Sequence, residues 1–222
     1  MNTVRRIAKN TIFMLTGEIV GKCFTLLFIA IVARYLHAEG FGLLSFAIAF
    51  VAIFGIFSDI GFYELTVRDG ARNRELIGKY AGNVLILKSI ILTIIYALMC
   101  LSIEIVNREA STLVYILGLS IIFDSFSMVF NSVFQAFERL EFISFGKILR
   151  NALLIFGGLL VISRGGGITE IAYLYIISSF ALLIYNLLIS LRLVKIKLEF
   201  DFKLWHRIIR EGFPFWASEV LP

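Results

Sequence analysis

The chain has 222 residues, of which 59% are hydrophobic and 17% are charged, and its formal net charge is +5. Its apolar residues fall in runs of about 20 residues or more, the length that crosses a hydrocarbon core about 30 Å thick. This pattern excludes a soluble globular protein, which carries about 25% charged residues. The basic residues lie between the apolar runs, so membrane topology explains the positive charge better than binding to nucleic acid.

Six apolar runs predict six transmembrane helices. Helices are expected because a chain in lipid has to satisfy its backbone hydrogen bonds internally. We therefore predict an all-α polytopic membrane protein, with a lobe of six transmembrane helices followed by the start of a seventh helix. The predicted spans are residues 10–35, 41–65, 80–103, 112–137, 142–163 and 168–191.

The basic residues predict which helix ends lie in the cytoplasm. Sixteen Lys and Arg residues fall in the N-terminal tail and in the connections after the second, fourth and sixth helices. Only Arg34, Arg108 and Arg164 fall on the other side. Cytoplasmic segments carry an excess of Lys and Arg, so we expect a cytoplasmic N-terminus. This count assigns Lys147 and Arg150 to the connection between the fourth and fifth helices.

After the membrane lobe, residues 1–193, two further segments are expected. Residues 194–211 are predicted to be a cytoplasmic connector, and residues 212–222 the truncated start of helix seven. The first part of the connector, KIKLEFDFKL, alternates polar and apolar residues, which predicts an extended or surface-lying strand.

The second part of the connector is predicted to be an amphipathic helix at the membrane interface. Trp205, Ile208 and Ile209 share one face of this helix, and charged residues occupy the rest. Gly212 and Pro214 predict that the helix stops and that a new one begins.

Charged residues inside the predicted spans are candidates for function, because ionisable groups are costly in lipid. At a rise of about 1.5 Å per residue, two of them lie near the midplane and the others closer to the cytoplasmic side. Groups at matching depths on different helices are expected to face a shared interior. These residues are Glu18, Lys22, Asp59, Lys88 and Asp124.

Each of these charges also has a structural interpretation, apart from function. Glu18 and Lys22 have the i,i+4 spacing of an ion pair along one helix face. Asp59 can bond the neighbouring backbone, and Lys88 can extend its amine to the membrane surface. Asp124 has the weakest structural explanation.

Smaller polar and glycine patterns accompany the charges. Asn131 and Gln135 extend a polar stripe along helix four, which serves helix contacts as often as ligand contacts. Gly17 and Gly21 form a small-xxx-small pattern that allows a second helix to approach closely.

No motif in the sequence points to an enzyme. There is no glycine-rich phosphate loop, no acidic pair on a long cytoplasmic loop and no His/Cys spacing for a metal. We therefore expect no catalytic residues, no metal and no cofactor, and we favour a transporter.

Residues 33–72, ARYLHAEGFGLLSFAIAFVAIFGIFSDIGFYELTVRDGAR, resemble the N-terminal region of the polysaccharide-exporter family. In that family, the first helix ends in Ala-Arg-x-Leu and is followed by Glu-x-Phe-Gly-Leu, and the second closes with Asp-Leu-Gly and a nearby Arg. VFQAFERLEF and GFPFW are similar to the exit of its fourth helix and the start of its seventh. His37 departs from the pattern, since Gly is usual there. The matching positions are Ala33, Arg34, Leu36, Glu39, Phe41, Gly42, Asp59, Gly61 and Arg68.

The resemblance implies a flippase of the multidrug/oligosaccharidyl-lipid/polysaccharide exporter superfamily. Such proteins move lipid-linked oligosaccharide repeat units across the cytoplasmic membrane, through a cavity between two lobes. This chain would be the N-terminal lobe. The implied ligands of the anionic substrate head group are Lys22, Lys88 and Arg34, and the implied ligands of a coupling ion are Glu18, Asp59 and Asp124.

The resemblance also implies the partners of the chain. These are a polyprenyl-linked oligosaccharide, membrane lipid, and either a missing C-terminal lobe or a second copy; no nucleic acid is expected. Three alternatives stay open. They are a peptidoglycan-precursor flippase or multidrug exporter of the same superfamily, a non-transporting scaffold or inactive fragment, and a membrane enzyme.

Overall fold

The computed structural model describes the backbone of residues 3–220 and the side chains of residues 15–217. All regular structure within this range is helical, and five helical segments are long and apolar enough to cross a membrane. The chain is therefore a multi-pass membrane protein. The α-helices are α1 (Thr3–Gly55), α2 (Phe62–Arg72), α3 (Ile77–Val106), α4 (Ser111–Ala136), α5 (Leu140–Ser163), α6 (Ile168–Leu193) and α7 (Phe202–Val220).

Helix α1 has 53 residues, about twice what one membrane crossing needs. It is interrupted at His37, whose φ of 57° and ψ of −176° are not helical. A positive φ is uncommon for a residue other than glycine. This bend stands between the first and second predicted spans, where the sequence predicts a loop.

The N-terminal part of α1 runs parallel to α5. A side chain at Gly17 would meet Ser144 near the start of α5, and Phe28 contacts Gly158 near its end. The small residues on both helices are what permit this approach, as the Gly17 and Gly21 pattern predicts.

The C-terminal part of α1 runs parallel to α4. Gly55 lies against Ile121, and the Ser58 carbonyl, just beyond α1, accepts a hydrogen bond from Ser125 at 3.4 Å. Since α4 and α5 are joined by three residues and run antiparallel, the two parts of α1 run in opposite directions. The chain thus reverses at His37.

The second predicted span, 41–65, is interrupted and this part of the prediction is wrong. The helix gives way at Ile56–Ser58 to a 3-10 turn, Asp59 is extended, and Gly61 has a φ of 71°. A side chain at Gly61 would overlap the carbonyl oxygen of Gly212 on α7. The break therefore follows from a left-handed glycine and a tertiary contact, neither of which the apolar pattern records.

Helices α3 to α6 lie within three residues of the predicted spans at each end. Their apolar core has two parts. One part lies between α1, α3, α4, α5 and α6. The other part lies between α2, α3, α4 and α7. In the second part Phe62, Leu65, Ile77, Val133 and Ile208 have no exposed surface.

The predicted extended segment has no regular secondary structure at residues 194–201, which lie along α3, and its last three residues, 202–204, belong to α7. The backbone N–H of Lys197 donates to the Gly78 carbonyl at 3.1 Å. A side chain at Gly78 or Gly82 would overlap the carbonyl oxygens of Lys195 and Lys197. The two glycines, one helical turn apart, form the surface on which the segment lies.

Helix α7 continues through Gly212 and Pro214, so the predicted end of the helix at Gly212 is wrong. Proline removes one helical hydrogen bond, but tertiary contacts hold this region in place. The Trp216 indole N–H donates to the Ile56 carbonyl at 3.1 Å, and Glu211 pairs with Arg68 of α2. The division at residue 212 between connector and helix seven stays a prediction.

Ion pairs attach α7 and its connector to α2 and α3. Arg207 lies 3.2 Å from Asp69, and Lys79 lies 2.6 Å from Asp201. Hydrogen bonds from Arg68 and then Arg207 lower the pKa of Glu211. The hydrogen bond from Lys79 likewise lowers the pKa of Asp201. The amphipathic helix is therefore docked to the membrane lobe.

Candidate functional site

An ion pair lies near the middle of the helix bundle. The carboxylate of Asp124 on α4 accepts from the guanidinium of Arg150 on α5 at 2.7 Å. Arg150 also donates to the hydroxyl of Ser179 on α6 at 3.3 Å. Asp124 is 12 residues from the end of α4, about 18 Å along the helix. The pair links three helices at a depth where isolated charges are costly.

The Asp124–Arg150 pair lines a cavity of about 400 Å³ between α1, α4 and α5, which we call the charged cavity. Both side chains keep between a quarter and a third of their surface exposed. Three cationic and two anionic side chains line it. These are Lys22, Lys147, Arg150, Glu18 and Asp124.

Glycine on α1 and an amide on α5 define one wall of the charged cavity. The Asn151 side chain donates to the Gly21 carbonyl at 3.1 Å, and a side chain at Gly17 would lie 2.6 Å from the Cβ of Ser144. This close packing places Glu18 and Lys22 of α1 at the same cavity as Asp124 of α4.

Several charges of the cavity have no ionic partner. Among the residues whose side chains are described, Glu18, Lys22 and Lys147 form no ion pair within 4.0 Å. The predicted pairing of Glu18 with Lys22 is therefore not formed. Both side chains instead line a space that a ligand or water can enter.

Several buried polar atoms without a protein hydrogen-bond partner belong to residues that line this space or to the adjoining helix α6. Within the described part of the chain, they are Asp124 Oδ1, Ser127 Oγ, Arg150 Nε, Asn186 Oδ1 and Ser190 Oγ. All five lie on α4, α5 and α6. Buried polar groups are nearly always hydrogen-bonded in native proteins, to protein, water or ligand. The described side chains therefore leave hydrogen-bonding capacity unused on these three helices.

A second polar cavity, of about 250 Å³, adjoins the first and shares Asn131 and Lys147 with it. We call it the amide-lined cavity. Asn131 accepts from Asn186 on α6 at 3.2 Å, and Gln135 accepts from the hydroxyl of Tyr63 on α2. Both residues of the predicted stripe thus contact other helices and also line polar space.

Lys88 and Asp59 form a separate ion pair, outside the two cavities. The Lys88 amine donates to Asp59 at 2.8 Å and to the hydroxyl and carbonyl of Ser125 at 3.1 and 3.2 Å. Lys88 has no exposed surface, so it does not extend to the membrane surface. Asp59 also accepts from the backbone N–H groups of Phe62 and Tyr63.

The structure therefore divides the predicted site residues. It brings Glu18, Lys22 and Asp124 together at one cavity, and it encloses Lys88 with Asp59 elsewhere. Arg34 is exposed close to the His37 bend, 12 residues along α1 from Lys22 of the cavity. The substrate role of Lys88 and Arg34 and the ion role of Asp59 stay predictions.

Sequence reasoning missed Lys147, Arg150 and Asn151 as site residues. Counting Lys147 and Arg150 with a cytoplasmic connection was wrong, because α5 begins at Leu140 and carries both of them, together with Asn151. Their spacing of three and four residues, which places them on one helix face, was the available signal. Within residues 15–217, no cluster of three or more His, Cys, Asp or Glu is placed to hold a metal ion.

Comparison with known proteins gives the family. Residues 7–221 match the polysaccharide biosynthesis protein family. No curated protein sequence matches the chain.

Solved structures share the fold. A MOP superfamily transporter from Pyrococcus furiosus, described as having a binding pocket of reverse polarity, matches with 22% identity and a TM-score of 0.72. It covers 97% of this chain and 52% of that one. An outward-facing multidrug resistance MATE transporter of the MOP superfamily matches with 21% identity and a TM-score of 0.73, over 97% of this chain and 52% of that one. A MATE protein in complex with MaD5 matches with 20% identity and a TM-score of 0.76, over 97% of this chain and 54% of that one.

These matches define what kind of chain this is. It spans about half the length of the solved structures it matches. Its fold is that of one part of such a transporter, and the match over residues 7–221 shows that the chain belongs to the polysaccharide biosynthesis protein family.

Proposed function

We propose that the chain is the N-terminal lobe of a flippase that moves lipid-linked oligosaccharide repeat units across the cytoplasmic membrane. The observation that carries the proposal is the charged cavity, in which Lys22, Lys147 and Arg150 outnumber the carboxylates. A cavity of that sign in the middle of apolar helices suits an anionic group that has to pass through the membrane.

In this arrangement, the bend at His37 makes α1 cross the membrane twice. Together with α3 to α6, that gives six crossings, and α7 leads into a seventh. The N-terminus lies in the cytoplasm, because the end of the bundle formed by α2, α7 and the connector carries most of the basic residues. The bend at His37 then lies outside.

The chemistry of the cavity follows from its charges. Lys22 and Lys147, which have no ionic partner among the described side chains, neutralise a phosphate or pyrophosphate of the substrate. Asp124 holds Arg150 in place when substrate is absent. Glu18 and Asp124 are the carboxylates available to a coupling cation or proton.

The excess of cationic groups in the charged cavity also favours some of the alternative transporter classes over others. A multidrug exporter for cationic compounds would need the opposite sign, whereas a peptidoglycan-precursor flippase carries a substrate of the same anionic lipid class. Family membership favours surface polysaccharide as the product. A transporter is favoured over an enzyme, since the residues that line the cavity form no pair of nucleophile and base.

The partners follow from the length of the chain relative to the structures it matches. In this superfamily the path of the substrate runs between two lobes that rock against each other. This chain supplies one wall, and a C-terminal lobe or a second copy supplies the other. Membrane lipid surrounds both.

The test is binding of a polyprenyl-pyrophosphate-linked oligosaccharide to the chain in lipid nanodiscs. We expect Lys147→Ala and Arg150→Ala each to weaken binding about tenfold, because a charge-assisted hydrogen bond contributes about 1.5–3 kcal/mol. Arg108→Ala, at the other end of the bundle, is the matched control and should bind like the wild type. Absence of binding, or equal binding by all variants, would contradict the proposal.

A transport measurement distinguishes the two partner arrangements. The chain alone, in proteoliposomes, is expected to bind the substrate without moving its head group between leaflets. Robust movement by the chain alone would show that two copies form the path.

A further inference from the structure

An apolar groove adjoins both polar cavities. It has a volume of about 480 Å³ and lies between the N-terminal part of α1, the start of α5 and the end of α6. Its walls are mainly Phe142, Phe145, Ile148, Tyr185 and Ile189. No described ionic group other than Glu141 lines it.

The aromatic wall of the groove is held in a fixed position. The Tyr185 hydroxyl donates to the Phe142 carbonyl at 3.2 Å, and the Tyr185 and Phe145 rings have centroids 5.5 Å apart. Gly146 lets α5 and α6 approach, since a side chain there would lie 2.9 Å from Leu182. The groove is therefore shaped before any ligand enters it.

The groove lies next to both polar cavities, because it has a lining residue in common with each. It shares Gly17 with the charged cavity and Ser144 with the amide-lined cavity. Three compartments of different chemistry thus meet where α1 contacts the start of α5. One is apolar, one carries amides and a tyrosine, and one carries an excess of positive charge.

We propose that the groove binds the hydrocarbon chain of the lipid-linked substrate while its anionic group occupies the charged cavity. This inference rests on the proposed function and adds an orientation to it. An amphiphile with an apolar chain, an anionic link and a hydroxyl-rich head group matches the order of the three compartments. Planar amides and a tyrosine suit the hydroxyls of a sugar.

The groove and the charged cavity both have Gly17 in their lining, and this adjacency favours the substrate chain as the occupant over an ordinary phospholipid. An acyl chain of bulk lipid can fill the groove while its phosphate stays at the membrane surface, so its binding does not require the charged cavity. The chain of the substrate is covalently joined to the anionic group, so its occupancy of the groove has to depend on Lys147 and Arg150. This dependence can be measured.

The experiment uses a polyprenyl pyrophosphate with a photoreactive diazirine in its hydrocarbon chain, added to the full chain in nanodiscs. Labelled peptides are identified by mass spectrometry. We expect labelling of the segments that contain Phe145 and Tyr185, and about a tenfold loss in Lys147→Ala and Arg150→Ala. Phe156→Trp, on the exposed face of α5, should leave the labelling unchanged.

Two variants fill the groove itself, Ile148→Trp on α5 and Ile189→Trp on α6. Each should remove groove labelling and leave binding of a short prenyl pyrophosphate at the wild-type level, which also shows that the variant is folded. Labelling that persists in both variants would overturn the proposal.

The remaining outcomes separate this inference from the proposed function. Labelling that is unaffected by Arg150→Ala and displaced by excess phosphatidylglycerol would identify the groove as a site for ordinary lipid. Binding that depends on Arg150 but labels other segments would contradict the assignment of the groove and leave the proposed function standing. No binding of the polyprenyl pyrophosphate by the wild type would overturn both.

Discussion

Replacement of Lys88 by Met tests whether its enclosed ion pair stabilises the junction between α1, α2, α3 and α4. The amine of Lys88 has no exposed surface and makes three hydrogen bonds, to the Asp59 carboxylate and to the hydroxyl and carbonyl of Ser125. Met has nearly the same volume but no charge, so the substitution removes these bonds without opening a large cavity.

The expected loss of stability follows from what remains at Asp59. Removal of one partner of a buried ion pair costs about 3–5 kcal/mol, because the other charge is left uncompensated. Asp59 keeps its hydrogen bonds from Phe62 and Tyr63 and is 15% exposed. We therefore expect the lower end, about 3 kcal/mol. For a domain of this size, that corresponds to a decrease in Tm of about 6–12 °C.

Thermal unfolding in detergent, followed by the fraction that remains monodisperse, measures the change. The double variant Lys88→Met/Asp59→Asn should lose only about 1–2 kcal/mol, because no unpaired charge is left. Ser89→Ala is the matched control, since the Ser89 hydroxyl is exposed and bonds only to Leu85 in its own helix. Wild-type stability of Lys88→Met, or a double variant as unstable as the single one, would refute this reasoning.

Two other predictions concern the connector and the topology. Gly82→Ala should cost about 1–3 kcal/mol and detach the extended segment from α3, measured by the same unfolding assay and by proteolysis near Lys197. Gly42→Ala, where a side chain would meet nothing within 4 Å, should be neutral or stabilising; equal effects would contradict the packing argument. For topology, single cysteines at Arg72 and Glu109 are labelled from outside the cell. A membrane-impermeant maleimide should react only at position 109, and the opposite result would reverse the orientation.

The transmembrane helices whose ends coincide with the sequence prediction are those bounded by ordinary composition changes. Helices α3 to α6 begin and end where apolar runs meet charged or glycine-rich residues. The alternation indicated that the connector starts without a helix, which holds for residues 194–201 but not for 202–204. Gly17 and Gly21 indicated the approach of α1 to α5. In each case a local pattern determines the local structure.

The features that were not predictable depend on tertiary contacts. The break between α1 and α2 needs Gly61 in a left-handed conformation against Gly212, which is about 150 residues later in the chain. Helix α7 passes through Pro214 next to a tertiary hydrogen bond from Trp216 to the Ile56 carbonyl. Neither contact can be seen in a hydropathy pattern. Local propensity therefore predicted an uninterrupted span at 41–65 and a helix end at Gly212, and both are wrong.

The site was recognised in part, because charge in a membrane span is visible in a sequence and pairing between helices is not. Glu18, Lys22 and Asp124 were identified by their depth, and the structure places all three at one cavity. Arg150 was not identified as a site residue, because a charged residue near a predicted loop was counted as part of the loop. The assignment of charges to loops is thus least secure where a helix begins with polar residues.

The Asp59–Lys88 and Asp124–Arg150 ion pairs differ in their exposure, and this difference decides which of them a ligand can reach. Lys88 is fully enclosed, and its amine uses all three of its protons in fixed bonds. It can release Asp59 only if the surrounding helices separate. Arg150 and Asp124 are more than a quarter exposed to a cavity, and each keeps a buried polar atom without a protein partner. A ligand that enters this cavity can therefore compete for Arg150 without unpacking a helix, which makes the Asp124–Arg150 pair the one of these two that is suited to exchange partners in the proposed transport.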